Sequence, residues 1–208
     1  MAQWPGWKRT FALLLSAQAG YAVGAPSLPP NAMAGDLIFR EGTEVVSAAV
    51  MAVDHGAFTH VGILVGSSGN WQVLHATPSE VQGRPDGVVL DTLDFFLDTS
   101  RSKQYGIFHV EASKQQRADS LRAARKMLGR PFRIADPAGT YCTELVWDAW
   151  RSAGVDLQVQ FTHIELPMLP GSYLLPSALL ASPKIHHVGA DPRRQGPAST
   201  EPREVLDR

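Results

Sequence analysis

The sequence predicts an α+β domain in which a small antiparallel sheet packs against helices. Val61-Gly-Ile-Leu-Val65 and Trp71-Gln-Val-Leu-His75 are β-rich runs separated by Gly66-Ser-Ser-Gly69, the grammar of a hairpin. Lys114 to Leu128 and Cys142 to Ala153 carry apolar residues at helical spacing and stop at Gly129 and Gly154. The chain of 208 residues, 44% apolar and 19% charged, is long enough for one domain to bury its own core.

Each element follows from local pattern. Asp36-Leu-Ile-Phe39 reads as a strand, and Thr43 as the cap of a helix whose Val45, Val46, Ala49, Val50 and Val53 share one side and which stops before Gly56. The hairpin comes next. Gly87 to Leu90 and Tyr105 to Val110 supply two more strands, with a short helix around Leu93 to Leu97 between them. The helix from Lys114 turns Ala118, Leu121, Ala124 and Leu128 inward and its basic residues to solvent. Beyond Pro167 a Pro- and Leu-rich stretch wraps the domain, with a short helix at Pro176 to Ala181.

The ends read differently. Lys8-Arg9, the short apolar run Phe11 to Leu15 and the small residues through Ala19 and Ala25 are the three parts of a secretory signal, predicting residues 1–25 as a leader and a periplasmic or secreted protein. The domain then spans 34–188. Residues 189–208 alternate charges with Pro192, Pro197 and Pro202 and read as a disordered tail. With 19 basic and 20 acidic residues the net charge is −1, so no positive field exists to hold nucleic acid. No apolar run reaches the roughly 18 residues of a membrane span, and Cys142 has no partner for an internal disulfide.

Cys142 sits in the first turn of its helix, with Leu145, Val146, Ala149 and Ala153 on the same side. The N-terminal N–H groups there favour a thiolate and can hold an oxyanion. A small core hydrophobe is the plainer reading of a lone cysteine on an apolar face. Two histidines shift that balance. His60, Gly62 and Leu64 share one strand face, left open by the glycine. If Gly66 to Gly69 form a four-residue loop, His60 stands directly opposite His75, within reach of an imidazole–imidazole hydrogen bond. A helix crossing the sheet then brings Cys142 to His60, with His75 behind: nucleophile, base and orienter. Two histidines and a cysteine also suit zinc, a weaker reading because no second thiol and no tight His spacing exist; neither a metal nor a cofactor is called for. Tyr141 is a candidate oxyanion or substrate contact, or a packing residue. Asp54 and His55 read as helix-end groups, Glu144 and Asp148 as a solvated pair, and His186-His187 as exposed.

Leu128-Gly-Arg-Pro-Phe132 and Tyr141-Cys-Thr-Glu-Leu-Val146 resemble the cysteine segment of NlpC-type papain-like hydrolases, and Thr59-His-Val-Gly-Ile-Leu-Val65 with Val73-Leu-His-Ala-Thr77 their histidine segment. The order is reversed, strands before the cysteine helix. With the opening Gly35-Asp-Leu-Ile-Phe39, this resembles the circularly permuted YiiX/YebB-like branch of the superfamily. The resemblance spans Gly35 to Ala181 and implies a permuted papain-like fold, a Cys142 nucleophile, a His60 base and a third polar residue at His75. Many members of the branch carry an acid at that third place, and a tyrosine is common where this chain has Phe132.

The expectation is an exported cysteine hydrolase that cleaves an amide through a thioester, with peptides, cell-wall stem peptides first among them, as substrate. A lipid acyl hydrolase or acyltransferase using the same thiol, its groove lined from Leu166 to Leu180, is the alternative. A non-catalytic binding module is the third reading. The loop Pro78 to Gly87, with Glu80, Arg84 and Asp86, follows His75 and lies near the cleft.

Overall fold

The computed structural model describes residues 27–188 apart from 80, 135, 137, 167 and 168. The predicted leader and tail lie outside the described residues. In chain order the elements are β1 (Leu37–Gly42), α1 (Val45–Asp54), β2 (His60–Ser67), β3 (Asn70–Thr77), β4 (Gly87–Thr92), α2 (Leu93–Phe96), β5 (Ser102–Val110), α3 (Lys114–Lys126), α4 (Cys142–Ser152), β6 (Thr162–Leu166), β7 (Leu169–Tyr173), α5 (Pro176–Leu180) and β8 (Ile185–His187). Six strands form one sheet in the order β4-β3-β2-β1-β5-β8, with antiparallel neighbours throughout. β6 and β7 pair separately as a ribbon.

The sheet is covered on both faces, which explains the unbroken burial of β2 from His60 to Val65. On one face Leu145, Val146, Ala149 and Trp150 of α4 pack on Val61, Ile63, Val65 and Leu74. On the other, Leu93 and Phe96 of α2 cover Ile38, Leu64 and Val73. α3 opens with a capping box between Ser113 and Gln116, and α4 gives way at Gly154, whose φ of +73° suits a residue without a Cβ.

Two expectations are corrected. The hairpin between β2 and β3 closes through Ser68-Gly69 alone, with Ser67 paired to Asn70, so Gly66 and Ser67 belong to the strand. The register therefore moves by two residues from the one a four-residue loop sets. Side chains alternate with a period of two, so this shift leaves every residue on its expected face. The second correction concerns α1. Its cap position is Glu44, while the Thr43 hydroxyl donates to the Ser100 carbonyl at 2.6 Å. Ser47 alone is buried within this helix, and Val45 is 90% exposed. Its apolar side does not enter the core.

The packing separates structural from non-structural apolar residues. Leu145→Ala removes a fully buried side chain between α4 and the sheet and is expected to cost about 2–5 kcal/mol in chemical denaturation. Val45→Ala should change stability by no more than about 0.5 kcal/mol; an equal loss at both positions would contradict this division.

Candidate active site

Four polar side chains cross the sheet in one row beneath α2. Arg40 of β1 is directly opposite His60 of β2 in the ladder. His60 Nε2 meets His75 Nδ1 on β3 at 2.8 Å, and His75 Nε2 meets Asp91 Oδ2 on β4 at 3.1 Å. Each of these two contacts is diagonal. His75 faces Val89, two residues before Asp91, and Gly62 is the residue beside His75. A Cβ at Gly62 would lie 3.1 Å from His75 Cβ and 2.4 Å from Val73 Cγ1, so glycine there makes room for the His60 ring to reach across.

Burial closes the row. His60, His75 and Asp91 are 7%, 0% and 3% exposed. Phe96 packs its ring on both imidazoles and under the Arg40 guanidinium. Arg40 donates to the Phe96 carbonyl at 2.8 Å and to Glu44 Oε1 at 2.6 Å. At the far end Arg84 donates to Asp91 Oδ1 while lying over the Phe95 ring.

The carboxylate sets the polarity of the chain. Burial pushes the Asp91 carboxyl up, but the His75 hydrogen bond and the charges of His75, Arg84 and Arg40 outweigh it and hold the group below its usual value. An ionised Asp91 can only accept, so His75 donates from Nε2, its Nδ1 accepts, and His60 donates from Nε2. His60 Nδ1 is left with its lone pair uncommitted among the described residues. Burial first, then Arg40 and His75, push the His60 imidazole well below its ordinary value, so this ring is neutral at physiological pH.

Cys142 approaches from the other face of the sheet. It begins α4, and the backbone N–H groups of Val61, Thr143 and Cys142 itself favour its thiolate. Burial outweighs them and pushes the thiol up to about 11. The expectation of a thiolate favoured by the helix terminus is thus reversed in the resting site, because desolvation exceeds what the N–H groups supply. Val61 follows His60, so thiol and imidazole row meet through one peptide, not as a preformed hydrogen-bonded pair.

A cavity of about 140 Å³ opens at the thiol. Val46, Ala49, Val50 and Val53 of α1 form one wall; Ile164, Leu174 and Leu175 form the other. This is where the apolar side of α1 goes, and the Leu-rich stretch after Pro167 supplies part of the lining. The Tyr141 ring also lines the cavity, while its hydroxyl oxygen accepts from Leu174 N–H at 3.0 Å. Burial raises this phenol to about 12. Asp54 holds the cavity's far end by accepting from Ser177 N–H and Oγ, a tether that its reading as a helix-end group does not include.

The remaining candidates fall outside this centre. His55 ends α1 in left-handed conformation, and His186 and His187 are exposed on β8. Glu144 is half-buried, and burial followed by Asp148 raises its carboxyl above the usual range, so it is less solvated than its helical position suggests. Asp91 is the residue that sequence reasoning missed. A strand drawn to end at Leu90 stops one position short of it, although an acid in register with two histidines on one face was the available signal.

The family model for permuted papain-like amidases, YaeF/YiiX, C92 family, matches residues 31–186. Among solved structures, one described as the metalloprotein YiiX from Escherichia coli O157:H7 aligns with a TM-score of 0.62 at 19% identity, over 76% of this chain and 96% of that one. No curated protein matches the sequence.

The raised thiol predicts slow alkylation. A shift from the ordinary 9.0 to about 11 leaves about 100-fold less thiolate at pH 7 to 8. The rate of Cys142 carbamidomethylation should therefore climb through pH 9 without a plateau. A fast rate already level below pH 7 would reveal a thiolate–imidazolium pair and refute the neutral resting site.

Proposed function

Since the chain belongs to the permuted papain-like amidases of the YaeF/YiiX, C92 family, we propose that it cleaves an amide by covalent catalysis, with Cys142 as nucleophile, His60 as base and His75 as orienter. The observation that carries this reading is the His60 Nδ1, uncommitted among the described residues, at the end of a buried His–His–Asp chain whose first residue precedes the peptide that the thiol touches. Both partners rest neutral, so proton transfer accompanies attack instead of preceding it. His60 Nδ1 takes the proton as Sγ bonds to the carbonyl carbon, the N–H groups at the start of α4 hold the oxyanion, and the leaving amine takes the proton back. Water then resolves the thioester by the same route.

The cavity argues for the acyl side. Its lining is almost wholly apolar, and a space near 150 Å³ holds a molecule the size of benzene. A peptide with a compact apolar residue on the acyl side of the scissile bond fits; cell-wall peptides are one source. The alternative of a lipid acyl group rests on the same lining, especially Leu174 and Leu175, but holds only about six carbons before a longer chain must leave the pocket. Tyr141 contacts the substrate through its ring, with its hydroxyl anchored at Leu174. The charged and apolar segments of residues 1–25 support export to the periplasm or beyond.

The word metalloprotein attaches to the YiiX structure. The residues of this chain do not fit a metal centre: His75 has both ring nitrogens engaged, and among the described residues no group of three His, Cys, Asp or Glu side chains could hold an ion. The proposed steps use none.

A panel of anilides tests both function and substrate. Leucyl, phenylalanyl and butanoyl to hexanoyl anilides should be cleaved in preference to glutamyl and long-chain ones, with about 1,000-fold or greater loss in Cys142→Ala. Cleavage confined to long-chain esters would select the lipid reading. Failure to cleave any member, with no acyl-enzyme by mass spectrometry, would leave the binding module.

A further inference from the structure

The row of side chains places two opposite charges at its two ends, and the histidines between them are not equivalent. His60 faces the buried Arg40 guanidinium across the ladder and has no acid of its own. His75 donates to the Asp91 carboxylate. A positive charge formed on His60 is repelled by Arg40; the same charge on His75 is paired.

We propose that His75 and Asp91 form a proton relay behind His60, so that the charge created during acyl transfer rests on His75 beside Asp91 and not on His60 beside Arg40. The relay depends on the reading of Cys142 and His60 given above. It conserves every proton. As the S–H bond breaks and sulfur bonds to carbon, a proton arrives at His60 Nδ1. The proton on His60 Nε2 crosses the 2.8 Å contact to His75 Nδ1, while His75 keeps its Nε2–H on Asp91. His60 ends neutral with its proton on the other nitrogen, and His75 ends as the cation. When the amine departs with the Nδ1 proton of His60, His75 returns its own, and the starting tautomers are restored. Asp91 touches no reacting atom; it is a positioning residue that sets both tautomers and receives the charge.

The groups facing the pair are Arg40 from β1, with Glu44 beside it, Asp91 from β4, and Arg84 beyond Asp91, while Cys142 lies on the other face of the sheet against the Val61 peptide. Phe96 supplies the apolar cover. Arg84 draws on the other carboxylate oxygen, so it limits how much charge Asp91 offers His75.

Nitrogen-15 spectra of the full-length protein with labelled histidine read the relay without any substrate. As pH falls, the first proton taken up by the pair should turn His75 into an imidazolium while His60 changes from its Nε2–H to its Nδ1–H neutral tautomer, both at one midpoint. Asp91→Asn should lower that midpoint by at least about one pH unit and reduce anilide turnover about 100-fold or more, as misplacing a tautomer does in a catalytic triad. Arg84→Gln, at a partly exposed position that leaves the row assembled, should raise the midpoint and keeps the test alive if Asp91→Asn does not fold. Protonation of His60 to a cation with His75 still neutral would overturn the relay, as would a midpoint unmoved by both variants. Loss of turnover in neither Cys142→Ala nor Asp91→Asn, with the spectra as expected, would sink the amidase reading and leave the proton path standing.

Discussion

A single buried carboxylate orders this centre. Asp91 accepts, so His75 must donate, so His60 must donate, and among the described residues the lone pair left open in this chain is at His60 Nδ1. Each hydrogen bond has its direction fixed by the previous one. Such a chain is worth more than separate pairs because a reversed tautomer at any link leaves two donors or two acceptors facing each other in a buried site. The sheet supplies the spacing: diagonal neighbours on adjacent antiparallel strands lie within reach of long or aromatic side chains, and three strands in succession provide them.

The fold meets the cost of burying so many polar groups by giving each residue a partner. Arg40 has Glu44 and the Phe96 carbonyl, and Asp91 has Arg84 and His75. Removing one partner from such a buried set strands the other, which typically costs about 3–5 kcal/mol. Burial above all keeps His60 and Cys142 uncharged at rest. Placement then relates them: a neutral imidazole and a neutral thiol separated by one peptide, with N–H groups already directed at the sulfur.

Much of this was legible in the sequence, for reasons that particular residues show. His60 and His75 share one face whether the hairpin loop has four residues or two, because a register shift of two residues preserves the side-chain period. The helix carrying Cys142 was plain from Leu145, Val146 and Ala149. What was not legible depended on burial. The thiol's environment is set by β2 and α4 together, and no local pattern reports how much water they exclude. Asp91 lies near the end of β4, where local pattern no longer marks how far a strand runs. Val46, Ala49, Val50 and Val53 carry a core-like pattern but face a cavity, and periodicity cannot tell an apolar side turned toward packed protein from one turned toward open space.

The wall formed by α1 has a consequence for how such an enzyme changes over time. The helix is tied at its ends, by Glu44 to Arg40 and by Asp54 to Ser177, while its middle buries nothing but Ser47. Val46, Ala49, Val50 and Val53 therefore shape the cavity without supporting the core. Mutations there are nearly free of the stability threshold that constrains most positions. Substitution along one short helix can therefore reshape the cavity while the imidazole row stays fixed.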